Sequence, residues 1–418
     1  MIQSPVFFNK TEISKRLVMF LLFLYLVLYF FISTKILWIF YLILFVLLVF
    51  SRRKLVAKPV IVIAILGLPL VWGLIMSYDE NLYNTVQGFF YLSIPLLLIL
   101  IGYQLSKYFT IRQYFSNVLV IGIIISLFFI FVAIYRVGFK AFLSPYTTAR
   151  FIIGSGSPAC VLSLIISLYS DNFDLQLFKN KIRKYLSIMI SLTAIYLFAS
   201  RTYWVMLILF ILIFGIKIMK NNRLLLVIFL LIGVFIISVN LINSEHSLSF
   251  SKSFIFKLTR SFKEISLSDF KTYKEINLNY RGYEAYMSWK SYIAGNFTEL
   301  VFGHGLGKLV DLDARVFLAG KYWTSVPVLH NGFFYILVKT GALGTIFNLL
   351  FFFFFGLVGV RKYRSSDREQ QFLAVFVLAC AISLFMTNFV VCGMFNFEMS
   401  ILLITSGFII SKQIIEVK

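Results

Sequence analysis

Apolar runs long enough to cross a lipid bilayer follow one another along most of this chain, and that succession constrains its fold more than any other feature. A bilayer core needs about 20 helical residues, with about 17 as the lower limit. In lipid every backbone group must be satisfied internally, which leaves helices or closed barrels. Twelve such runs fall between Leu17 and Ile410, among them Gly88–Leu105, Asn117–Tyr135, Leu224–Ile242, Ala342–Val360 and Phe372–Val391. Ile36–Phe50, Leu186–Ser200 and Met399–Ile410 are short. The first run, Leu17–Ser33, follows Lys15 and Arg16, is too long for a signal-peptide core and has no small-residue cleavage motif behind it, so it reads as a retained anchor.

Composition agrees, since 60% of the residues are hydrophobic where soluble chains hold about 45–50%. The expectation is an all-α polytopic membrane protein of about twelve transmembrane helices with one large, partly helical loop outside the cytoplasm. Residues 1–242 would supply helices one to nine, 243–329 the loop and 330–418 helices ten to twelve.

A net charge of +22, from 39 Lys and Arg against 17 Asp and Glu, would point a soluble chain toward nucleic acid. Here placement decides otherwise. The two terminal segments and alternate connections between the apolar runs collect 22 basic residues against 5 in the short connections opposite. Lys and Arg concentrate in cytoplasmic loops, so both termini read as cytoplasmic, and no nucleic-acid partner is needed to explain the charge. Cys160, Cys380 and Cys392 lie in or beside apolar segments without CxxC spacing, which indicates neither a disulfide framework nor a thiolate metal site.

The large loop carries 11 basic and 8 acidic residues and is rich in aromatics, including Trp289 and Trp323, so it reads as a folded cap. Within it, apolar or aromatic residues at 285, 286, 289, 292 and 293 have the spacing of one helical face, and Gly295-Asn296 ends that helix. Arg281 then stands at its N-terminus, where free N–H groups and the helix dipole add to a guanidinium that grips phosphate oxygens two at a time. The alternative is a pairing with a loop carboxylate such as Glu284. Arg201, in Ser200-Arg201-Thr202 between two apolar runs, is a second cation at the bilayer edge, either functional or a snorkelling anchor. Arg136, Lys140 and Arg150 depart from the charge bias in another outer connection and are candidates to face an anionic substrate.

Phe302-Gly-His-Gly-Leu-Gly-Lys308 resembles a phosphate loop but has three residues between Gly303 and Gly307 and Leu309 after the lysine. A Walker A motif needs four, then Ser or Thr, so the segment reads as a structural turn and His304 as non-catalytic. His330, in Leu329-His330-Asn331-Gly332, stands where the loop re-enters the membrane. It is a candidate general base or a cap in an Asn-Gly turn.

Ser200-Arg201-Thr202, the outer loop with Arg281 ahead of a Trp-bearing helix, Phe302-Gly-His-Gly-Leu-Gly307, and His330-Asn331 before a glycine-punctuated apolar stretch together resemble the superfamily of O-antigen polymerases and O-antigen ligases. The resemblance implies a membrane glycosyltransferase, independent of metal and cofactor, whose donor is a glycan linked to undecaprenyl diphosphate. It places Arg201 and Arg281 at the diphosphate and His330 at the reacting hydroxyl. Arg136, Arg150 and Asn331 are candidates for glycan or lipid contact, and membrane lipids and a chain-length regulator are the partners it implies. Between the members the polymerase is favoured on the richness in Phe and Leu, with the ligase as alternative. A lipid-linked glycan transporter is the rival class, and would be expected to carry ionisable residues within several spans or a repeat. A non-catalytic scaffold would give Arg281 and His330 no joint purpose.

Overall fold

The computed structural model describes residues 17–24, 32–52, 60–143, 156–218, 267–318 and 320–415. The apolar run Leu224–Ile242, the middle of Leu17–Ser33 and Arg150 lie outside these residues. The described chain is mostly helical, and five of its helices are long and apolar enough to cross a membrane: Leu82–Leu105, Ile111–Val137, Arg201–Ile218, Gly332–Lys362 and Arg368–Asn388. In chain order the main elements are α1 (Thr34–Arg52), α2 (Val60–Ile75), α3 (Leu82–Leu105), α4 (Ile111–Val137), α5 (Pro158–Tyr169), α6 (Lys181–Phe198) and α7 (Arg201–Ile218). There follow α8 (Tyr273–Leu278), α9 (Tyr280–Ile293), α10 (Phe297–Phe302), the strands β1 (Val310–Leu318) and β2 (Lys321–Val326), then α11 (Gly332–Lys362), α12 (Arg368–Asn388) and α13 (Ser400–Ile415).

Capping side chains fix where the helices start. Asn81 accepts from Tyr83 N–H, Thr110 and Gln113 form a capping box, Ser157 precedes Pro158 at the first position of α5, and Asp367 accepts from Glu369 N–H. Close packing between apolar helices then depends on small residues and buried hydroxyls, because lipid offers no hydrophobic drive between helices. Gly102 of α3 and Gly407 of α13 lie so near the opposing Ile404 and Ile99 carbonyls that a Cβ at either would overlap them, at 1.9 and 2.1 Å. Between α5 and α6, Ser163 and Ser191 pair at 2.7 Å and Ser167 and Ser187 at 2.6 Å. Phe115, Phe210, Phe214, Phe372, Phe376 and Phe408 fill the centre as edge-on aromatic neighbours.

Cross-links between helix ends sort those ends onto two faces. On one, Tyr108 Oη donates to Leu48 O, Arg112 Nη2 to Gln176 O, and Lys217 Nζ to Tyr363 O. On the other, Leu306 N–H reaches Gly73 O and Ser77 Oγ at the end of α2, Tyr196 Oη donates to Phe142 O, and Tyr203 Oη donates to Glu398. The loop segments 267–331 sit on this second face.

They hold a feature the sequence reading did not anticipate, an antiparallel hairpin. Strands β1 and β2 pair Val310 with Val326 and Leu318 with Lys321, with an irregularity between Asp311 and Val316 where Asp313 takes a φ of 50°. The hairpin packs on α9, with Lys290 Nζ on Asp313 at 2.7 Å.

Candidate functional site

The expected helix over 281–293 is present as α9, ended at Ala294 before Asn296 caps α10. Its buried face is rotated from the expected one. Trp289 and Ile293 are exposed, whereas Glu284, Ser288 and Tyr292, one turn apart in succession, point inward. Polar residues take the inner face because their bonds are made there: Ser288 Oγ donates to Glu284 O at 2.6 Å and Tyr292 Oη to Leu300 O at 2.9 Å.

Glu284 is the centre of the site. It is 1% exposed, and a carboxylate that deep requires partners. Tyr280 Oη, one turn earlier, donates to its Oε1 at 3.0 Å. His330 supplies the rest, its backbone N–H donating to Oε2 at 2.7 Å and its Nδ1 lying 3.2 Å from both oxygens. A carboxylate accepts, so the proton belongs on Nδ1 and the lone pair on Nε2. The imidazole is 43% exposed, which leaves its outer edge open beside a buried, fixed partner. The Tyr280 ring stands edge-on to it at 5.7 Å.

Backbone bonds hold His330 as firmly. Its carbonyl accepts from Cys392 N–H in the 389–399 connection, and the next residue, Asn331, caps α11 by accepting from Phe333 N–H at 3.0 Å and Phe334 N–H at 3.2 Å. Asn331 thus caps α11 through its side-chain oxygen. Burial, reinforced by the charge on Glu284, pushes both the Tyr280 hydroxyl and the Cys392 thiol above their ordinary pKa. Both therefore keep their protons near neutrality.

Arg281 is half-buried and next to Tyr280 on the same helix. Its corner is less open than a free helix start, because α8 runs directly into α9 at Asn279 and the N–H groups of Gly282 and Tyr283 both donate to the Asn279 carbonyl. Arg201 is the first residue of α7 and half-buried. Two residues on, Tyr203 Oη reaches Glu398 Oε2 at 3.2 Å, so the 389–399 connection touches the start of α7 at one end and His330 at the other. Arg136 is exposed at the end of α4, on the same face of the bundle.

The glycine-rich segment is structural, and α11 explains why. Gly341, with φ at 70°, interrupts that helix and frees carbonyls that lipid cannot satisfy. His304 N–H takes the Val338 carbonyl at 2.9 Å and Gly305 N–H the Lys339 carbonyl at 3.2 Å. Lys339, 2% exposed, returns the bonds by donating from Nζ to Leu306 O at 2.8 Å and to Lys308 O. The His304 ring is buried between Tyr292 O and Glu299, and backbone bonding at Asn296 holds the Glu299 carboxyl below its usual range. Among the described residues no three His, Cys, Asp or Glu side chains are grouped to hold a metal ion.

Glu284 is the candidate residue that the sequence reading did not assign to the site. Its signal was an acid in register with Ser288 and Tyr292 on a helix otherwise apolar on that side. The chain matches no family model and no curated protein.

Proposed function

We propose that this protein is a membrane glycosyltransferase of the O-antigen polymerase kind, moving a growing glycan from undecaprenyl diphosphate onto a lipid-linked repeat unit. The observation that carries the reading is the pair of His330 and buried Glu284 at one end of an apolar helical bundle. In the reaction, Nε2 of His330 takes the proton of the acceptor hydroxyl as its oxygen attacks the anomeric carbon. The bond from that carbon to the diphosphate breaks, and the configuration inverts. Glu284 fixes the tautomer and meets the charge the imidazole gains. Arg281 and Arg201 meet the charge of the departing lipid diphosphate.

The same reading assigns the face rich in Lys and Arg to the cytoplasm, with both termini there, and the face bearing His330 to the periplasm of a bacterial inner membrane. It keeps the twelve-span arrangement, with 243–329 as the periplasmic loop, and a chain-length regulator as partner. An O-antigen ligase, which hands the glycan to lipid A-core, uses the same chemistry with a different acceptor.

The test is the glycan profile of a strain lacking the gene, resolved by length, beside a complement carrying His330→Ala. A single repeat unit left on lipid A-core in both identifies a polymerase. Bare core with long lipid-linked polymer identifies the ligase. Unchanged long chains in the His330→Ala strain overturn the reading. Arg281→Lys should also shorten the chains, because lysine lacks the two-pronged fork, and full chain length in that variant removes the diphosphate from Arg281.

A further inference from the structure

At the start of α4, on the face of the bundle away from the 267–331 segments, a cleft of about 590 Å³ opens. One wall is a polar stripe of that helix, Arg112, Gln113, Ser116 and Asn117, and the apolar side chains of Met19, Phe109 and Leu177 complete the lining. Arg112 and Arg136 stand near the two ends of α4, so the helix is centred on the hydrocarbon it crosses. Its 27 residues rise about 40 Å, which leaves about 5 Å at each end beyond the hydrocarbon core. Asn117 lies about 9 Å along the helix from Ile111. The stripe therefore runs from the headgroups to just inside the hydrocarbon, where a polar side chain is costly unless it is partnered. Neither the Ser116 hydroxyl nor the Asn117 amide has a hydrogen-bond partner among the described residues.

The four polar side chains all offer N–H or O–H groups. Gln113 spends its carbonyl oxygen on Thr110 N–H at 3.2 Å and keeps its NH2 group, while Arg112 is held by Nη2 on Gln176 O at 2.6 Å with its other N–H groups to spare. No carboxylate is among the lining residues, so the cleft supplies donors and one positive charge and calls for an anion rich in acceptor oxygens. We propose that it seats the phosphodiester of an anionic phospholipid, the phosphate on Arg112 and Asn117, the glycerol and first acyl carbons against Met19, Phe109 and Leu177. A free phosphate ion would use the arginine but not the apolar wall or the depth. A zwitterionic lipid would bring its own cation beside the guanidinium with no acid there to receive it. The cleft is at the opposite end of the bundle from His330, and its occupancy does not depend on glycosyl transfer.

The test is native mass spectrometry of the full-length protein in detergent with equimolar phosphatidylglycerol and phosphatidylcholine. One phosphatidylglycerol should be retained, preferred about tenfold over phosphatidylcholine. Asn117→Leu, which suits a membrane span, and Arg112→Gln should each bring the preference near parity. Lys184→Gln should keep it, since that lysine is on the same face but paired with Asp171. Melting temperatures in detergent check that the variants fold, and if Arg112→Gln does not, Asn117→Leu, which leaves the bond to Gln176 in place, decides alone. Equal retention of the two lipids by the parent, the parental preference in Asn117→Leu, or the same loss in Lys184→Gln would overturn the proposal. Displacement of the retained lipid by equimolar inorganic phosphate would overturn it too, by showing that the cleft reads a free anion.

Discussion

Glu284→Gln separates the charge of the buried acid from its shape. The amide can still accept from His330 N–H, but its own N–H group then faces Nδ1 and drives the ring proton to Nε2, the atom that must accept one. Transfer of glycan from a lipid-linked donor in vitro should fall by about 10²- to 10⁴-fold in kcat with KM little changed, and the melting temperature should stay near that of the parent. A variant retaining full kcat would reduce Glu284 to a packing role. Tyr280→Phe removes one bond to the same carboxylate and should cost about 1 kcal/mol of stability with a smaller loss of rate. The candidate base was legible in the sequence, because His330 lies at a loop-to-membrane junction beside Asn-Gly. Its partner was not. Spacing along a helix displays the neighbours of Glu284 at Arg281 and Ser288, whereas His330 is 46 positions away and only the folded loop brings it near.

At the scale of elements, the interruption at Gly341 depends on backbone that no side chain can replace. A Cβ there would stand 2.3 Å from Val301 O in a residue already at φ 70°, so Gly341→Ala should destabilise the protein by at least about 2 kcal/mol, visible as an earlier thermal transition in detergent. An unshifted transition would mean that α11 can straighten without cost. The glycines from Gly341 to Gly344 announced a turn, and Gly303, Gly305 and Gly307 another. That the two turns satisfy each other was hidden, because the bonds join segments more than thirty residues apart. The hairpin left a local trace in the alternation of Val310, Leu312 and Val316 with polar residues ahead of Ala-Gly, a period of two that the surrounding helical pattern obscured.

For the molecule as a whole, the distribution of charge is a statement about sidedness that chemical labelling can check. Cys160, Cys380 and Cys392 are all buried, so the native chain provides a quiet background for single-cysteine probes. Lys321→Cys, on the exposed hairpin, should react with a membrane-impermeant maleimide in spheroplasts, and Lys184→Cys, beside Asp171 on the opposite face, only after permeabilisation. The reverse pattern would invert the orientation. The expected sidedness rests on Lys and Arg counts, which a sequence displays; the way the loop folds back on the bundle is governed by contacts it does not. The reciprocal bonding at the α11 break carries a further consequence for biogenesis. Residues 303–308 emerge from the ribosome before 332–341, and their N–H groups are the ones that relieve the exposed carbonyls of Val338 and Lys339. Until that turn is seated on the end of α2, the upper half of α11 carries carbonyls that lipid cannot satisfy, so its partition into a membrane is expected to wait on that seating.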